Sequence, residues 1–69
     1  MISDSEVLNA INVLKTYAEQ VKKERGNLYW DAKMSGNEEF ANAHLERFKA
    51  ATYIEQQCQT IMQWYRDSK

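Results

Sequence analysis

No proline and only two glycines interrupt these 69 residues, so nothing forces the chain out of a helix except at Gly26 or Gly36. The recurrence of apolar side chains distinguishes the two. From Val7 the steps alternate between four and three residues, through Ile11, Leu14, Ala18 and Val21, then across Arg25 to Leu28 and Ala32. The phase passes Gly26 without slipping, whereas a turn there would reset it, and a glycine inside a helix costs only about 1 kcal/mol relative to alanine. Gly26 therefore reads as a soft spot within one long helix.

Ser35-Gly36-Asn37 has the opposite character. Gly36 suits the left-handed position that closes a helix, Asn37 suits the N-cap of the next, and Glu38 and Glu39 place negative charge in its first turn. At the start of the chain Ser3 and Glu6 have capping-box spacing. These signals predict an all-α chain with a helix over about 4–34, a turn at 35–37 and a helix over about 38–66. Each arm is roughly 45 Å long at 1.5 Å per residue. Equal arms about a short turn make an antiparallel hairpin, and residues 1–69 form its single domain.

A turn centred on Gly36 pairs residue numbers that sum to about 72 in an antiparallel register. Val7 then lies near Tyr65, Ile11 near Ile61, Leu14 near Cys58, Ala18 near Ile54 and Val21 near Ala51. The second arm carries Phe40, Ala43, His44, Phe48, Ala50, Ala51, Ile54, Cys58, Ile61, Met62 and Tyr65 on an arc of roughly 160°. One neighbouring helix cannot cover so wide an arc. A second hairpin can, so the expected assembly is a homodimer forming a four-helix bundle, the commonest closed solution, with a larger assembly as the alternative.

The size of the chain points the same way. Domains of this length seldom gain more than about 3–5 kcal/mol from a single core unless something staples it, and Cys58 is the only cysteine. One cysteine and one histidine assemble no clustered zinc site, and neither a metal nor a cofactor is expected. A net charge of −1 argues against a nucleic-acid partner. No secretory leader and no apolar run long enough to span a membrane are legible, and a lone cysteine fits a reducing compartment; the expected location is cytoplasmic.

Polar residues on the inward faces are the candidate site. Arg25 interrupts the apolar stripe of the first arm, and the register sets it beside His44 and Arg47. With Tyr29 as a stacking surface these form a possible anion site; the competing reading is structural arginines whose stems cover the core while their heads reach water. Glu55 is expected opposite Tyr17. Three aromatics off the stripe, Trp30, Tyr53 and Trp64, are candidate partner-binding residues, because Trp and Tyr carry much of the energy at interfaces. No phosphate-binding glycine loop, H-E-x-x-H or C-x-x-C is present. The expectation is a non-enzymatic binding protein, a small regulator or inhibitor that contacts another protein. Two alternatives stand beside it: sequestration of a nucleotide-like anion, or recognition of structured RNA through Lys15, Lys22 and Lys23.

Overall fold

The computed structural model describes residues 2–68. It is a hairpin of two helices, α1 (Asp4–Met34) and α2 (Glu38–Asp67), packed against each other. Both ends of α1 are fixed by local chemistry. The Glu6 N–H donates to the Ser3 hydroxyl at 3.2 Å, the serine half of the capping box. At the other end Gly36 takes φ +77°, a conformation open to glycine at little cost. Its N–H donates to the Lys33 carbonyl at 3.1 Å and the Asn37 N–H to the Ala32 carbonyl at 2.9 Å. Those two bonds are a Schellman closure. Asn37 also starts the next helix, its side chain accepting from the Phe40 N–H at 3.2 Å. A single residue thus closes α1 and opens α2. Helix α1 runs unbroken through Gly26.

The two helices meet along a seam with strict alternation of three- and four-residue steps. On α1 it is Ile11, Lys15, Ala18, Lys22, Arg25, Tyr29 and Ala32; on α2 it is Ala41, His44, Phe48, Ala51, Glu55, Cys58, Met62 and Tyr65, all buried or half-buried. This heptad-like spacing is that of helices packed nearly antiparallel. The innermost positions are small. Among the described residues Ala18, Ala41, Ala51 and Cys58 are the buried ones, and no large side chain is fully enclosed.

Of the expected layers, Val7, Ile11, Ala18, Val21, Ala51, Cys58 and Tyr65 are buried or half-buried, and three members are not. Leu14, Ile54 and Ile61 were expected inside; they remain 58%, 48% and 43% exposed, while their neighbours Lys15, Glu55 and Met62 occupy the seam. The reason is close approach: alanines at 18, 41 and 51 let the backbones come together there, and lysine stems pack along the edges. The expected contact of Glu55 with Tyr17 is corrected in the same way. Glu55 lies 3.6 Å from the Lys22 Nζ, and Lys22 also sits 6.0 Å from the centre of the Phe48 ring, whereas Tyr17 is exposed.

Candidate functional site

Packing on the alanine edge leaves a groove along each side of the seam, and the two differ in chemistry. The first, with a volume of about 370 Å³, is bounded by Leu14, Tyr17 and Val21 from α1 and Ala50 and Ile54 from α2, with Arg25 and Arg47 at its turn end. Helical phase extends this face, because a step of seven residues returns to nearly the same side. Leu28 follows Val21, Ile61 follows Ile54, and Phe40 and Ala43 precede Arg47 and Ala50. The second groove is lined by Glu19, Lys22, Lys23, Asn27, Trp30 and Glu55. One side of the hairpin is apolar and the other is charged.

Within the apolar face the residues of the possible anion site are only partly brought together. Arg25 and Arg47 line the same groove. The Arg25 guanidinium donates to the Nδ1 of His44 at 3.1 Å; arginine has no acceptor, so Nδ1 holds a lone pair and the ring proton resides on Nε2. Among the described residues no carboxylate stands within ion-pair distance of either guanidinium. Tyr29 faces elsewhere. It lies with Trp30, Leu45, Phe48 and Gly26 around a small cavity of about 150 Å³, its ring edge-on to Trp30 at 5.5 Å.

The three candidate partner-binding aromatics likewise do not form one surface. Trp30, 65% exposed, borders the charged groove near the turn. Tyr53 and Trp64 are exposed on the outer flank of α2, eleven residues and so about 16 Å apart on one side of the helix. Trp64 stacks edge-on against Tyr65 at 5.1 Å, close to the open end of the hairpin. The axial separation between Trp30 and Trp64 is about 30 Å by the same rise per residue, so at most two of the three can serve one compact contact.

Sequence reasoning missed the Lys22–Glu55 pair and the Lys22–Phe48 contact. The signal was present in the steps of Ala41, His44, Phe48, Ala51, Glu55 and Cys58, which alternate regularly although two members are polar. Among the described residues no group of three or more His, Cys, Asp or Glu side chains is placed to hold a metal ion. No described helix is long and apolar enough to cross a membrane. The chain matches no protein-family model, no curated protein and no solved structure.

Proposed function

We propose that this hairpin is a non-enzymatic binding protein, a small cytoplasmic regulator or inhibitor, whose working form is a homodimer closed into a four-helix bundle. One observation carries the reading: the buried positions are filled by alanine and cysteine, while Leu14, Ile54, Ile61 and Phe40 lie on an open face. A lone hairpin with so little enclosed apolar volume falls short of ordinary domain stability. A second copy would cover that face and leave the charged groove with Trp30, and the Tyr53–Trp64 flank, available to another protein.

Light scattering over a dilution series, combined with thermal unfolding, tests the assembly. The expected result is a dimer whose melting temperature rises with protein concentration; a folded monomer at micromolar concentration overturns it. Pull-downs comparing wild type with Trp30→Ala and Trp64→Ala then test the partner surface. A captured protein lost with one variant and kept with the other would place the contact.

Sequestration of a nucleotide-like anion is a second reading, favoured by two guanidiniums without carboxylates at the end of an apolar groove. Concentration-dependent stabilisation by phosphate or a nucleotide would support it. The RNA alternative has less behind it, since Lys15 is paired with Glu19 and Lys22 with Glu55.

A further inference from the structure

The strongest unassigned feature is the uneven distribution of charge along the open apolar face, because it distinguishes the ways in which a second copy can cover it. The apolar face runs along a hairpin whose long axis extends 51 Å, so a second copy covers it from end to end only by full overlap, and two twofold arrangements give that. In one the hairpins run parallel, turn beside turn; in the other they run antiparallel, each turn over the partner's open end.

We infer that the second copy lies antiparallel, a conclusion that rests on the homodimer proposed above. Arg25 and Arg47 share one level of the groove. A parallel dimer would bring four guanidiniums to that single level inside an interface, with only the layer spacing of about 8–10 Å between the pairs. That is close to the Debye length of about 8 Å at physiological salt, so the repulsion would be poorly screened. In the antiparallel arrangement the level shifts. Arg25 is six residues from the middle of α1, about 9 Å at 1.5 Å per residue, so the twofold separates the two pairs by about 18 Å along the axis.

The charge of the two halves favours the same choice. Residues 20–53, the turn half, carry six basic and five acidic side chains; the remaining residues carry three and five. Antiparallel packing sets a net positive half against a net negative one, and parallel packing sets like on like.

Electron–electron distance measurement between nitroxide labels tests the orientation. The free thiol is first removed by Cys58→Ala, a near-isosteric change at a buried seam position. Labels are then placed in separate proteins at Met34→Cys, beside the turn, and Ser5→Cys, at the open end, both exposed. Circular dichroism confirms that each variant is helical. Antiparallel packing predicts separations of about 40–45 Å at both sites, from their distance to the helix midpoint. Distances near 20 Å at both sites would establish the parallel dimer and overturn the inference while leaving the homodimer intact. Absence of dipolar coupling at both sites, together with a monomer mass, would remove the homodimer itself.

Discussion

The two sides of this hairpin have the same helices, the same seam and nearly the same length, yet opposite surfaces. One groove shows Leu14, Val21 and Ile54 to solvent; the other shows Glu19, Lys23 and Glu55. The contrast arises because the seam closes on alanines and leaves Leu14, Ile54 and Ile61 outside it. Had Leu14, Ile54 and Ile61 gone inside, the hairpin would have a larger core of its own. Packing on alanines instead leaves Leu14, Ile54 and Ile61 exposed on one side, the side to which the proposed homodimer assigns the contact. Core and exposed face thus compete for the same residues, and here the exposed face receives them.

The largest expected effect separates the two sides directly. Ile54→Glu puts a carboxylate at the centre of the apolar face, where burial in an interface would leave it unpaired. Self-association should weaken by at least about a hundredfold, near 2.7 kcal/mol. Gln59→Glu, an exposed change on the same helix, should stay within about 0.5 kcal/mol of wild type. Sedimentation equilibrium of the two variants decides the matter. Equal behaviour would break the comparison, since it would mean that the apolar side is not a contact.

A smaller effect is expected at the glycines. Gly36→Ala forces an L residue to φ +77°, at a cost of about 1–2 kcal/mol. Gly26→Ala should act in the other direction, by up to about 1 kcal/mol. An added Cβ there would meet the Phe48 ring at 3.5 Å, an ordinary contact in the charged-side groove. Urea unfolding of both variants measures the signs. Destabilisation by Gly26→Ala would show that the closeness of Gly26 to Phe48 is itself required.

These glycines also mark what the sequence makes legible. The Ser3 cap, the Gly36 closure, the Asn37 cap and the continuity through Gly26 are local, governed by a few adjacent residues, and each is where the spacing placed it. The seam was not legible to the same degree. Apolar periodicity weights Leu14 over Lys15, Val21 over Lys22 and Ile54 over Glu55, but helix packing also depends on how closely backbones can approach. Ala18, Ala41 and Ala51 set that approach, and lysine stems can line it as well as leucine can. Arg25, Arg47 and His44 lie near the turn end of the hairpin because their positions follow from the turn, whereas the side on which Tyr29 falls depends on the seam phase.

The smallest expected effect concerns Arg47, which is exposed in the single hairpin and has no carboxylate partner among the described residues. Arg47→Met retains an apolar stem of similar length and removes the charge. In the isolated hairpin little should change, because an exposed guanidinium is already hydrated. In the proposed dimer the same head lies against an apolar face, so removing its charge should tighten association by a few tenths to about 1 kcal/mol. Arg25→Met should gain less, because it also removes the donor to His44 Nδ1 and leaves a half-buried acceptor without its bond. The informative quantity is therefore the difference between the two variants in dissociation constant at constant salt. Arg47→Met tighter than wild type, and tighter than Arg25→Met, sharpens the contrast between the faces. Weaker association for Arg47→Met would mean that this guanidinium makes a favourable contact across the interface, and would direct attention to an acceptor on the second copy.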